Sequence, residues 1–149
     1  MVLAWPAGAR VAVIAARFNG DVVDVLLKDC VARLKELGAT DITVERVPGA
    51  FELALAGKWA AEKHDAVVCL GCVIRGDTPH FEYVCESAAA GISRAGLDTG
   101  KPVIFGVLTT NSHEQAVART NGSHSRGGYN FAEAAAEMLG VKLRVLSGG

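Results

Sequence analysis

No apolar run in the chain approaches the roughly 20 residues that a helix needs to span a bilayer, so a soluble protein is expected. A surplus of one charge is also missing. Lysine and arginine number 15 against 16 acidic residues, and this balance excludes a nucleic-acid backbone or an anionic membrane as the main partner. Small molecules or proteins remain. Met1 to Ala16 hold one basic residue, Arg10, set between two short apolar stretches. That order is wrong for a secretory signal peptide, and a cytoplasmic location is expected. The cysteines, Cys30, Cys69, Cys72 and Cys85, are too few and too scattered for a disulfide scaffold and are expected as free thiols. Neither a GxxxxGK[ST] loop nor a GxGxxG turn occurs, which argues against a nucleotide-hydrolysing or dinucleotide-binding protein. With no repeat, linker or low-complexity segment, residues 1–149 fit one ordinary domain. Apolar residues, by contrast, are plentiful. They make up 50% of the chain, the upper end for a soluble domain, and the surplus points to subunit interfaces.

Short apolar, β-branched runs alternate with segments of helical period. Strands are predicted over Arg10 to Ala16, Asp41 to Val47, Ala66 to Ile74 and Pro102 to Thr109. Helices are predicted over Asp21 to Leu37, Phe51 to Lys63, Thr78 to about Ala95, Asn111 to near Thr120 and Tyr129 to Leu139. In the first, Val23, Leu26, Cys30, Leu34 and Leu37 share one face, and Gly38 is the stop. Thr78 is a candidate N-cap with Pro79 at the first helical position, where its missing N–H costs nothing. Asn111 to Glu114 has capping-box spacing. Gly122 to Gly128 reads as a polar loop. Strands alternating with helices specify a four-stranded parallel sheet with helices on both faces, doubly wound by right-handed crossovers.

Ligands of such sheets sit beyond the carboxyl ends of the strands. Those junctions carry Arg17-Phe18-Asn19, Pro48 to Glu52, Arg75 to His80 and Thr109 to Asn111. A helix opening at Thr78-Pro79-His80 directs free N–H groups and the positive end of its dipole outward, a physical site for phosphate. His80 beside it suits proton transfer near neutral pH. The competing reading is an ordinary cap and a surface histidine. Phe18 and Phe51 could stack on a planar heterocycle and Glu52 could accept from its N–H groups, or the three could serve packing and the helix dipole. Arg119 and Arg126 could pair with phosphate or be solvated charge. Cys69-Leu-Gly-Cys72 invites a redox or zinc reading, but it lies inside an apolar strand rather than at a helix start and has no second tight pair. Buried, inert thiols are expected. Arg75-Gly76-Asp77 spells an adhesion tripeptide and Asn121-Gly-Ser123 a glycosylation sequon; neither carries meaning inside a cell.

Ala16-Arg-Phe-Asn19, Val47-Pro-Gly-Ala-Phe-Glu52, Gly71 to Val84 (GCVIRGDTPHFEYV) and Pro102 to Thr110 (PVIFGVLTT) stand in the order and spacing of the lumazine synthases. The chain resembles that family from about Arg10 to Met138. The resemblance implies a three-layer, flavodoxin-like α/β fold and the penultimate step of riboflavin biosynthesis. In that step 5-amino-6-(D-ribitylamino)uracil condenses with 3,4-dihydroxy-2-butanone 4-phosphate, releasing phosphate and water, to give 6,7-dimethyl-8-ribityllumazine. It further implies that Phe18, Ala50, Phe51, Glu52, Val73, Ile74 and Arg75 hold the pyrimidine and its ribityl chain. Asp77, Thr78, Arg119 and Arg126 would hold the phosphate, and His80 would transfer protons. Phe105 matches a ring supplied by a neighbouring subunit, so the site would straddle an interface. The family forms pentamers that stay free, pair into decamers or close into sixty-subunit capsids. No cofactor, metal or covalent enzyme intermediate is implied.

The chain departs from the family pattern at three places. Arg126 stands where a lysine is usual, Ala118 replaces a common acidic residue, and Asp77 adds negative charge beside the proposed phosphate. Pro6 would limit any strand that the N-terminal stretch adds to a neighbour's sheet. Two alternatives remain at this level: a binding module that holds a ribityl-flavin or lumazine without making one, and a thiol redox protein using Cys69 and Cys72.

Overall fold

Parallel strands that are buried on both faces need continuous apolar sequence, and the chain supplies it in short runs separated by amphipathic helices. The computed structural model describes residues 2–122 and 125–148. Its strands are β1 (Arg10–Ala16), β2 (Asp41–Val47), β3 (Ala66–Ile74) and β4 (Val103–Thr110). The helices are α1 (Gly20–Leu37), α2 (Leu53–Ala61), α3 (His80–Thr99), α4 (His113–Ala118) and α5 (Gly127–Ser147), with a 3₁₀ turn at Ala50–Glu52 ahead of α2. All strand pairs are parallel and the sheet order is β2-β1-β3-β4. The strand order therefore reverses between β1 and β3.

One core layer joins α1 and α5 to Val11, Val13, Val68, Leu70 and Leu108 on one sheet face. The other joins α2 and α3 to Ala12, Ile14, Val67, Cys69 and Val107. Successive strand residues thus feed opposite layers, as the two-residue period requires. The predicted α1 face is buried at Val23, Leu26, Cys30 and Leu34, and Leu37 packs against the same layer. The N-terminal stretch is pinned at Trp5, which is buried, donates its backbone N–H to Leu37 O at 2.9 Å and its indole N–H to Ala9 O at 3.0 Å.

Several boundaries differ from the sequence prediction, each for a local reason. The segment predicted to begin a helix at Phe51 opens as the 3₁₀ turn, and α2 ends at Ala61, where His64 Nδ1 lies 2.8 Å from Ala60 O. Helix α3 starts at His80 with Pro79, not Thr78, in the cap position, and Thr78 Oγ1 accepts from His80 N at 3.4 Å. It runs past Ala95 to Thr99, because the left-handed turn falls at Gly100 (φ 68°) rather than at Gly96. Strand β4 starts one residue later than predicted, since Pro102 has no N–H to donate and contributes only its carbonyl, to Val67 N. The capping box of α4 is shifted by one: Ser112 Oγ accepts from Gln115 N at 3.2 Å, and Gln115 Oε1 accepts from Asn111 N at 2.8 Å. The loop predicted over Gly122 to Gly128 includes residues 123 and 124, so part of it and the serine of the sequon lie outside the described residues.

Helix α5 begins two residues before the predicted start, and its first glycines explain how closely it approaches α1. A Cβ at Gly128 would lie 2.5 Å from Leu26 O and 2.7 Å from Asp29 Cβ. At Gly140, which α5 passes without breaking, a Cβ would meet only the mobile end of Arg144, at 3.2 Å. Gly128→Ala is therefore expected to destabilise the fold by about 1–3 kcal/mol through overpacking, whereas Gly140→Ala gains up to about 1 kcal/mol of helix propensity. Urea denaturation of the two variants checks the pair, and equal shifts would refute the close α1–α5 contact.

Candidate active site

At the carboxyl edge of the sheet, across the β1/β3 switch point, lies a cleft of about 530 Å³. Its near wall is carried by the chain leaving β1. Arg17 N and Phe18 N donate to Val47 O and Pro48 O at 2.8 and 3.0 Å, so the β1–β2 ladder continues past both strand ends. This extension sets Phe18 beside the Pro48-Gly49 turn. A Cβ built on Gly49 would lie 3.4 Å from Glu52 Oε1 and 4.0 Å from Phe18 Cβ, so the ring and the carboxylate flank the same glycine. Phe18 and Phe51 are 69% and 61% exposed at the mouth, far more than core aromatics. That exposure favours a ligand over packing for both rings.

The floor and far wall come from the 3₁₀ turn, the end of β3 and the turn into α3. Ala50, Val73 and Ile74 give an apolar surface, and Thr78 and His80 reach the cleft from the turn and first residue of α3. Of the residues predicted for the site, Phe18, Ala50, Phe51, Glu52, Val73, Ile74, Thr78 and His80 line this one cavity. Five others do not. Arg75 turns aside toward Asn111 and Glu82. Asp77 is exposed on the turn without lining the cleft. Phe105 is 38% exposed in the middle of the edge strand β4, in register with Cys69 rather than at the strand's carboxyl end. Arg119 Nη1 donates to Gln115 O within α4. Arg126 lies 3.6 Å from Asp29 on α1 and stacks 3.8 Å over the Tyr129 ring.

The cleft is also lined by Asn19, Pro48, Gly49 and Gly76, which the sequence placed at the strand-end junctions without a site role, and by Cys72, Phe81 and Val84, which it did not assign to the site. Asn19 had a legible signal, an asparagine just before a helix. It is the non-glycine residue with positive φ (56°) among the described residues, its backbone carbonyl accepts from Val22 N and Val23 N with no side-chain cap, and its Nδ2 donates to Cys72 O at 2.8 Å. Its side chain thereby ties the start of α1 to the end of β3. Nearby, His113 Nε2 meets Asp21 Oδ2 at 2.5 Å, joining α4 to α1, and this hydrogen bond holds the Asp21 carboxyl below the usual carboxylate range.

Burial pushes the Cys30 and Cys69 thiols up to about 12 and Cys72 up to about 11. Thiols so disfavoured as thiolates are unsuited to nucleophilic or redox work at neutral pH. Among the described residues, no group of three or more His, Cys, Asp or Glu side chains is arranged to hold a metal ion. No helix among them is long and apolar enough to cross a membrane.

A doubly wound α/β sheet with a cleft at the strand-order reversal defines the flavodoxin-like class of α/β proteins, in which ligands meet the loops after the strands; the fold by itself names no reaction. Comparison with known proteins narrows the class. The profile of the 6,7-dimethyl-8-ribityllumazine synthase family matches residues 8–142. A 6,7-dimethyl-8-ribityllumazine synthase of Desulfosudis oleivorans is 47% identical over 138 residues, covering 90% of this chain and 88% of that protein. One from Porphyromonas gingivalis is 42% identical, covering 89% and 85% of the two chains, and one from Corynebacterium glutamicum is 50% identical, covering 79% and 74%. The chain belongs to the 6,7-dimethyl-8-ribityllumazine synthase family, enzymes of riboflavin biosynthesis.

The Asn19 geometry yields a stability test. Asn19→Ala is expected to cost about 1–2 kcal/mol, from a left-handed backbone that alanine resists and a lost hydrogen bond. Asn19→Gly keeps the backbone conformation and should lose roughly half as much. Chemical denaturation distinguishes them, and equal losses would discount the backbone contribution.

Proposed function

We propose that this cleft condenses 5-amino-6-(D-ribitylamino)uracil with 3,4-dihydroxy-2-butanone 4-phosphate, releasing phosphate and water and forming 6,7-dimethyl-8-ribityllumazine. The observation that carries the assignment to this cleft is the meeting of two exposed rings, a carboxylate, an imidazole and a helix start in one cavity. In this reading the pyrimidine stacks against Phe18, the turn carrying Phe51 flanks it, and Glu52 accepts hydrogen bonds from the pyrimidine or its ribityl chain. Ala50, Val73 and Ile74 form the wall against which that substrate lies. The butanone phosphate lies at Thr78, where the N–H groups of the first turn of α3 face outward. The primary amine condenses with the ketone and expels water to give an imine. Loss of the adjacent C–H proton expels phosphate and leaves an enol that becomes a second ketone. The second amine closes the ring on that carbonyl with loss of another water. His80, at the junction of the two subsites, moves the protons these steps require. The remaining contribution is orientation of two soluble reactants, which converts their encounter into an effectively unimolecular step.

Arg119, Arg126 and Phe105 fit the reading only if a second copy completes the site, because none of them lines the cleft of its own chain, whereas Asp77 adjoins Thr78 at the rim of its own cleft. Arg119 and Arg126 would then meet the departing phosphate of a neighbour's substrate, and Phe105 would cover a neighbour's pyrimidine. An apolar pair supports such an assembly. Leu55 and Trp59, four residues apart on α2, are 55% and 62% exposed, which is unusual for a free surface. A ring of head-to-tail contacts, the pentamer of the family, satisfies both requirements; pairing into decamers or closure into a sixty-subunit capsid extends it. Each subunit would act as one domain, in the cytoplasm.

The test is to mix purified protein with the two substrates and follow lumazine by absorbance and fluorescence. Wild type should exceed the uncatalysed background, and His80→Ala should fall by about a hundredfold, the lower end of what positioned proton transfer contributes. A wild-type rate equal to background, with the aminouracil still bound, would leave a binding protein. An unaffected His80→Ala variant would remove the histidine from the scheme.

A further inference from the structure

The Arg75 side chain, at the end of β3, is held by three side chains. Its Nε donates to Asn111 Oδ1 at 2.9 Å, its Nη1 is paired with the Glu82 carboxylate, and its guanidinium lies 4.4 Å over the Phe81 ring. Asn111 is itself fixed, because its backbone N–H donates to Gln115 in the α4 capping box. A continuous link therefore runs from α4 through Asn111 and Arg75 to Glu82 in the first turn of α3. The hydrogen bond from the guanidinium holds the Glu82 carboxyl below its ordinary range.

This link spans a turn with few other ties. Residues 75–80 are all exposed, a Cβ at Gly76 would touch nothing within 4 Å, and Pro79 has no N–H to donate. Among the described residues, the turn's backbone–backbone tie is Arg75 N to Thr110 O at 2.9 Å, and His80 N reaches Thr78 Oγ1 at a long 3.4 Å. Yet the turn carries Thr78 and delivers His80. We infer that Glu82 is a positioning residue: acting through Arg75, it fixes the 76–79 turn and with it the place of Thr78 and His80 against the substrate. This inference rests on the proposed reaction, and it makes Arg75 a latch rather than a ligand of the ribityl chain.

An exposed pair adds little to global stability, so the effect belongs in kinetics and local order. Glu82→Gln keeps the size of the side chain and removes its charge. It should lower kcat by about tenfold, the order expected from a modest misplacement of reacting groups, and raise the KM for the butanone phosphate. The KM for the aminouracil, held by Phe18, Phe51 and Glu52 across the cleft, should stay unchanged. The thermal midpoint should move by less than about 2 °C. Amide hydrogen exchange across 76–80 should accelerate. In an Arg75→Met background, Glu82→Gln should change neither rate nor exchange further, because both act through one guanidinium. Wild-type kinetics in Glu82→Gln, or a full-sized additional loss in the Arg75→Met background, would overturn the assignment. Should wild type show no turnover, the reaction reading fails by itself. Amide exchange then decides the latch, and an unchanged turn in Glu82→Gln would remove it.

Discussion

The two central strands, β1 and β3, are hydrogen-bonded on both edges and dry on both faces, with Val11, Val13, Val67, Val68 and Leu70 fully enclosed. Parallel strands so placed need a helical layer on each side, and the chain provides α1 with α5 and α2 with α3. Close layers need small residues at the contacts. At Gly106 a Cβ would lie 3.0 Å from Phe131 Cδ2 of α5, and at Gly57 it would lie 3.0 Å from Cys69 Sγ. Once both faces are filled, free backbone and uncommitted side chains concentrate at the strand ends. Crossovers run to opposite sides from β1 and β3, which opens a crevice between them at the carboxyl edge. The cleft is thus a consequence of covering the sheet.

Within that crevice, depth and rim are built differently. Ala50 and Val84 are buried and apolar, whereas Phe18, Phe51, Glu52, Thr78 and His80 are exposed at the mouth. Rim groups cannot be fixed by packing, so each is held by a local device. The ladder extension at Arg17 and Phe18 sets one ring, the Gly49 turn sets Glu52, and Asn19 joins α1 to β3. The turn before α3 has the weakest backbone support, and it is there that side-chain links accumulate on Arg75.

How much of this was legible depends on what each signal encodes. β1, β2 and β3 fall at the predicted residues, because β-branched runs bounded by turn residues mark a strand directly. Helix ends were harder to read. Gly96 and Gly140 look like stops, but a glycine ends a helix only where the backbone turns left-handed, as at Gly38 and Gly100. Tertiary packing makes that choice. The junctions bearing the cleft were legible for a topological reason: element order alone places them on one edge. Side-chain direction is not encoded in order, and so Arg75 was assigned to a ligand when it faces Glu82 and Asn111. Phe105 was matched by the resemblance to a ring from a neighbouring subunit, and the structure leaves it outside the cleft of its own chain; for Arg119 and Arg126 the sequence order alone names no partner copy.

The same sheet geometry decides against thiol chemistry at Cys69 and Cys72. A CxxC pair on a helix turns both thiols toward one place, but on a strand an odd separation sends them to opposite faces. Cys69 enters the layer beneath α2 and α3, and Cys72 enters the layer beneath α1 and α5. With the sheet between them, the two sulfurs can neither form a disulfide nor share a metal ion without dismantling β3. Burial independently raises both thiols far above neutral pH. The groups left at the cleft for acid–base work are carboxylate and imidazole, Glu52 and His80. This matches a condensation in which amines, a ketone and a leaving phosphate bring the reactive atoms and the protein supplies position and protons.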